Sequence, residues 1–122
     1  MPSSAQFQQF ISSNWGETAG TTQRMDVADY LPARHAAISA QFPNACCVIP
    51  AGPYKTRSND TTYRFRAHSA LSHMTGLGEE KEPDAVFVLT PQGDSHKAVL
   101  YFRPAAPKTS EEFYKDAQYG EF

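Results

Sequence analysis

The sequence predicts a single α/β or α+β domain of helices layered on strands, and three observations carry that prediction. The run Ala85-Val86-Phe87-Val88-Leu89-Thr90 and the segment 97–103 read as two strands that return on each other. The short apolar run Ala45-Cys46-Cys47-Val48-Ile49, closed by Pro50-Ala51-Gly52-Pro53, reads as a buried strand and its turn. Ahead of it, residues 26–42 put Val27, Tyr30, Leu31, Ile38 and Phe42 on roughly one helical face, and Ala36, Ala37 and Ala40 favour the helix.

The bulk numbers agree with one ordinary domain. A chain of 122 residues can bury a core without staples, and 40% hydrophobic with 20% charged residues is globular composition. The net charge of −2 gives no electrostatic reason to expect nucleic acid. The start Met-Pro-Ser-Ser-Ala-Gln-Phe-Gln-Gln-Phe lacks the basic and apolar regions of a signal peptide. No run approaches the roughly 20 apolar residues that span a bilayer. Cys46 and Cys47 are neighbours, which a strand turns to opposite faces, so they are expected to be unbonded and buried as small hydrophobes. Free thiols of that kind point to a cytoplasmic location.

Along the chain, Phe7, Phe10, Ile11 and Trp15 recur at helical spacing, so residues 4–14 are expected to form an amphipathic helix. Residues 16–23 have no apolar period and read as a linker, which makes residues 1–24 a peripheral arm that covers part of the core. Its polar face is Gln and Ser, which argues against a membrane surface. Asp26 is the candidate N-cap of the next helix. Pro32 either kinks that helix or stands in its first turn, and Pro43-Asn44 stops it. Residues 57–60 read as loop, 61–65 as a second strand, and 69–74 as one or two helical turns with Thr75-Gly76 as the exit. Residues 91–96 read as a long loop between the paired strands. Thr109-Ser110-Glu111-Glu112 reads as a capping box opening a helix to about residue 118.

The candidates for chemistry are concentrated in residues 63–76, but their spacing does not build an active site. His68 and His73 lie about 140° apart around a helix and share no face. The chain has no His-Glu-x-x-His and no Cys-x-x-Cys, so no metal site is expected in it. The four histidines, His35, His68, His73 and His96, are expected to be bonded locally. Ser69 beside His68 is no nucleophile–base pair, because sequence neighbours rarely present that geometry. Gly76-x-Gly78 is followed by Glu79, Glu80 and Glu82, which would repel a phosphate, so it is a turn. The cluster Glu79, Glu80, Glu82, Asp84 reads as a solvated turn. Arg64 and Arg66 alternate with Tyr63 and Phe65, two basic side chains on one face and two aromatics on the other. An ion pair or carboxylate contact is expected for Arg66.

Over residues 27–122 these features together resemble the N-terminal domain of Xaa-Pro aminopeptidases (aminopeptidase P), in the creatinase and prolidase superfamily. The helix with Arg34 and His35 looks like the family's opening helix, where a basic pair usually sits. Residues 45–52 look like its first strand and "pAG" turn. Residues 57–66 are similar to "R-x-x-D-x-x-Y-x-F-R", and 65–76 to "FRxxS…TG".

The resemblance implies a creatinase-like α/β domain with a mixed β-sheet flanked by helices, over residues 25–122 and cut before its natural end. The catalytic pita-bread domain would lie outside this chain. Two manganese ions are expected in that missing domain, and no catalytic, cofactor-binding or metal-binding residue in this one. Arg66, Ser69, Thr75 and Gly76 are expected as structural markers. Ser72 and His73 stand where relatives often carry aromatics and are expected to face a cleft. The implied partners are the chain's own C-terminal catalytic domain, further copies in a homo-oligomer, and proline-containing peptides as the parent's substrate; nucleic acid and membrane are not expected. A corresponding domain of a prolidase or creatinase-like hydrolase, and a free-standing protein-interaction module, are the alternatives.

Overall fold

The computed structural model describes residues 4–13, 23–78, 83–104, 106 and 110–115. In chain order the elements are α1 (Ala5–Ser13), a 3-10 turn (Asp26–Asp29), α2 (Leu31–Gln41), β1 (Cys47–Pro50), β2 (Thr56–Ser58), β3 (Thr61–Thr62), α3 (Ser69–Thr75), β4 (Val86–Gln92), β5 (Ser95–Tyr101) and α4 (Glu111–Lys115). Residues 24–103 form one compact unit, and residues 1–23 with 104–122 form another. No helix of the described residues is long and apolar enough to cross a membrane.

The second unit contains α1 and α4. The Ser4 hydroxyl accepts the Phe7 N–H at 3.2 Å and so caps the start of α1, while Phe7 and Phe10 remain 54% and 65% exposed. In α4 the capping hydroxyl is that of Ser110, which accepts the Phe113 N–H at 3.3 Å. Lys115 pairs with Glu111 one turn away and holds its carboxyl below the ordinary glutamate range, by hydrogen bond first and charge second. The expected continuation of this helix to residue 118, the linker at 16–22 and the acidic residues 79–82 lie outside the described residues.

The unit of residues 24–103 is a three-stranded sheet in the order β1-β4-β5 with helices on one face, plus the small hairpin β2-β3. Every pair among the described residues is antiparallel, so the mixed sheet implied by the resemblance shows here as antiparallel pairs only. Register places Cys47 opposite Leu89 and Ile49 opposite Phe87, with Leu100 and Ala98 across from those on the other side. This face meets the helices. Its core is Ala51, Phe65, Ala67, Leu71, Met74, Ala85, Phe87 and Leu89, with Ile38, Cys47, Ile49, Tyr54 and Leu100 packed against it. The opposite face carries Val48, Val86, Val88, Val99 and Tyr101, all half-buried or exposed.

Four expectations change, each for a local reason. The cysteines are not both buried: Cys46 is exposed and Cys47 half-buried, because β1 lies at the sheet's edge and only alternate residues reach the core. The strand expected at 61–65 is only Thr61–Thr62; the chain then runs on without a ladder, burying Phe65 and Ala67 and leaving Tyr63 exposed. Phe65 meets Tyr54 edge-on at 5.4 Å. Asp26 opens the 3-10 turn and not α2, which starts at Leu31 with Pro32 in its first turn, where a missing N–H costs nothing.

The long loop expected at 91–96 is strand. β4 runs to Gln92, β5 starts at Ser95, and only Gly93-Asp94 turn the chain. Gly93 has φ 61 and Asp94 has no positive φ, the pattern of a II′ turn. Gln92 and Ser95 close that turn as a hydrogen-bonded pair, so the next pair, Pro91 and His96, exchanges no bonds. Pro91 therefore directs its missing N–H away from β5, beyond the end of β1's pairing at Cys47, and breaks no ladder.

The two sheet faces separate in a mutational test. Leu89→Ala, at a fully buried site, is expected to lower stability by about 2–5 kcal/mol in urea unfolding. Val48→Ala, 61% exposed on the other face, is expected to change it by less than about 0.5 kcal/mol. Equal losses would contradict the register.

Candidate functional site

The segment that carries the chemistry-bearing residues is α3 with its two ends, and its position is set by backbone hydrogen bonds. Ala51 is completely buried at the end of β1; its N–H donates to the Ala85 carbonyl at 2.7 Å and its carbonyl accepts the His68 N–H at 2.9 Å. Gly52 follows with φ 86, and its carbonyl accepts the Asp84 N–H at 3.0 Å. A Cβ on Gly52 would stand 2.9 Å from His68 Nε2, so this imidazole lies against a position that only glycine leaves open. The corner thus ties β1 at once to the start of α3 and to the residues that lead into β4.

The C-terminal end of α3 is closed by side chains from α2. Arg34 Nη1 donates to the His73 carbonyl at 2.7 Å, and His35 Nε2 donates to the Met74 carbonyl at 2.7 Å. The His35 ring also lies 5.2 Å from that of Phe87, which fixes it between sheet and helix. The Ser72 carbonyl accepts the Gly76 N–H at 2.9 Å, and the Leu71 carbonyl accepts the Thr75 hydroxyl at 2.8 Å. The Thr75 oxygen in turn accepts the Leu77 N–H at 3.2 Å. The carbonyls of Leu71, Ser72, His73 and Met74 each have a donor, and two of the donors are basic side chains placed at the negative end of the helix. Gly76 adopts φ 74, and a Cβ there would meet Val27 Cγ1 at 2.5 Å.

The residues singled out in the sequence fall into distinct places. Thr75 and Gly76 form the helix exit just described. Ser69 is the first, exposed residue of α3, after His68, whose side chain makes no capping bond. Ser72 is half-buried and His73 exposed on the same helix. Arg66 is exposed, and no ion pair of it is seen among the described residues, so the carboxylate contact expected for it does not appear there. Arg64 is exposed as well, while Phe65 points inward, so only half of the expected aromatic face is buried.

The histidines depart most from expectation. His35 and His96 are bonded across the fold and not locally. His96 Nε2 donates to the Ala45 carbonyl at 2.9 Å, which leaves Nδ1 to accept the Ser39 hydroxyl at 3.0 Å in the neutral ring. His96 therefore joins β5 to α2 and to the segment before β1. No group of three His, Cys, Asp or Glu side chains able to hold a metal occurs among the described residues. The described residues do not fit a manganese pair, which the resemblance expects in the catalytic domain and not in this one.

A helix-closing basic pair, an Ala-Gly corner and a three-stranded antiparallel sheet together make a small α/β domain. Residues 31–120 match the family described as "Aminopeptidase P, N-terminal domain", and the chain belongs to that family. It is 41% identical over 109 residues to Xaa-Pro aminopeptidase 1 of Streptomyces coelicolor, covering 88% of this chain and 22% of that protein. To Xaa-Pro aminopeptidase 2 of the same organism it is 37% identical over 120 residues, 93% of this chain and 24% of that protein. The solved structure of proline aminopeptidase P II from Yersinia pestis superposes with a TM-score of 0.57 at 27% identity, over 80% of this chain and 21% of that one. The chain spans about a fifth of the length of the curated relatives it matches.

Breaking the closure of α3 should cost stability in proportion to burial. His35→Phe keeps a ring beside Phe87 but leaves the part-buried Met74 carbonyl unpaired, and is expected to cost about 1–3 kcal/mol in urea unfolding. Arg34→Met removes an exposed bond that water can replace and should cost less. A harmless His35→Phe would remove the ring's assigned role.

Proposed function

We propose that the chain is the non-catalytic N-terminal domain of a cytoplasmic, metal-dependent Xaa-Pro aminopeptidase, an enzyme that removes the N-terminal residue preceding a proline. The observation that carries this is the match of residues 31–120 to the aminopeptidase P N-terminal domain, together with relatives named Xaa-Pro aminopeptidase of which the chain covers only 22–24%. On this reading the reaction belongs to the remainder of the enzyme. There two metal ions, manganese by resemblance, would supply the nucleophile and stabilise the oxyanion.

The domain's own part is to shape the cleft entrance and to make subunit contacts in an oligomer. α3 supports this role because its backbone is fixed at both ends while Ser72 and His73 remain available on its surface. A hydroxyl and an imidazole there present hydrogen-bonding groups to a peptide held by the catalytic domain.

Two measurements test the proposal. The purified 122-residue chain, supplied with manganese and an Xaa-Pro peptide, is expected to release no N-terminal residue and to bind no stoichiometric manganese by calorimetry. Metal-dependent turnover by the pure chain would overturn it. In the enzyme that carries this domain, Ser72→Ala with His73→Ala is expected to raise KM severalfold at unchanged thermal stability. Unchanged kinetic constants would remove these two residues from the cleft.

A further inference from the structure

Two side chains of α2 close the end of α3, and they are not equivalent. Arg34 makes an exposed bond to the His73 carbonyl, which water can replace. His35 makes a part-buried bond to the Met74 carbonyl, with its ring 5.2 Å from that of Phe87. Phe87 is a core residue of β4, the strand that pairs with β1 on one side and β5 on the other. His35 is thus the link from the sheet's core to the end of α3. Met74 is the next-to-last residue of that helix, and the Gly76 N–H already serves the Ser72 carbonyl. The Met74 carbonyl lies past the last intrahelical donor and takes its bond from outside the helix.

What this bond controls follows from the helix geometry. Leu71 and Met74 bury one side of α3. At about 100° per residue, Ser72 and His73 centre about 180° away from them, on the opposite side. Apolar packing is non-directional, so two buried side chains hold α3 down without fixing its rotation. A hydrogen bond is directional, and one made to a terminal carbonyl from a ring locked on the sheet fixes rotation and tilt together.

We propose that His35 is a positioning residue for substrate: through the Met74 carbonyl it sets where Ser72 and His73 meet the bound peptide. The inference rests on the reading of those two residues as cleft-facing. A peptide contact made equally in the ground and transition states changes KM and leaves kcat alone, so that is the parameter His35 should govern.

Ring and donor can be removed separately. His35→Phe keeps a ring beside Phe87 and deletes the donor; His35→Gln deletes the ring and keeps an N–H of similar reach. In the enzyme that carries this domain, assayed with manganese and an Xaa-Pro peptide well below each variant's unfolding temperature, His35→Phe is expected to raise KM about threefold or more at unchanged kcat. His35→Gln is expected to bring KM back near its original value. With Ser72→Ala and His73→Ala already present, His35→Phe should add no further rise, because its effect passes through those side chains. If Ser72→Ala with His73→Ala leaves KM unchanged, the cleft reading falls and this inference falls with it. If that pair raises KM, three results overturn the role of His35 alone: no rise in KM for His35→Phe, an equal rise for His35→Gln, or a full His35→Phe effect in the double-alanine background. A fall in kcat at unchanged KM, the mark of lost folded enzyme, would do the same.

Discussion

A helix of seven residues cannot stabilise itself, and the fold of residues 24–103 is arranged around holding one in place. Nearly all backbone groups of so short a helix are terminal, so its ends decide whether it exists. At its start, the His68 N–H is used by the Ala51 carbonyl, which is fully buried and has no access to water. At its end, Arg34, His35, Thr75 and Gly76 supply the donors. Leu71 and Met74 then seat its apolar side in the core. Removing His35 leaves a part-buried carbonyl without its partner, whereas water can replace the exposed bond of Arg34.

The same economy governs the contact between α2 and the sheet. His35 reaches across the interface to a carbonyl while its ring packs on Phe87. His96 reaches in the opposite direction, from β5 to Ser39 on α2 and to the Ala45 carbonyl. An imidazole suits this work because its ring nitrogens can reach a backbone carbonyl while its flat faces pack against neighbours. Two histidines thus cross-link the layers from both sides. Neither is arranged as a metal ligand among the described residues.

Much of this was legible in the sequence, and the failures have specific causes. The apolar run 85–90 marked β4, and Pro43-Asn44 and Thr75-Gly76 marked the helix ends where they are found. Pro91 misled, because a proline ends a strand only where its N–H is needed, and hairpin register decides that. The burial of Cys46 misled because an apolar run does not reveal whether its strand is central or at an edge. The segment after Thr62 has strand composition, yet its backbone departs from the ladder so that Phe65 and Ala67 can reach the core. The roles of His35 and His96 rest on pairs 39 to 57 residues apart, and no local pattern encodes such contacts. A signal for His35 did exist: a basic pair on one helix and an αL glycine closing another are complementary features, because local donors close only part of a helix end and basic groups are favoured at the remaining carbonyls.

At His73 the proposed recognition role is compatible with a structural one. Its carbonyl is held by Arg34, so the backbone at this point is tied to α2, while its side chain is exposed. The two properties need not trade off, because the carbonyl points along the helix axis and the side chain points away from it. A residue fixed in this way presents its imidazole from a defined origin with little backbone freedom left to lose, which lowers the entropy cost of any contact the ring makes. Half-buried Ser72, one residue earlier, shares that rigid origin, and its carbonyl is held by the Gly76 N–H. The physical argument for a recognition role in α3 therefore rests less on the identity of the two side chains than on the closure of the helix that carries them. Loosening that closure at His35 should weaken recognition as well as stability, without touching either residue.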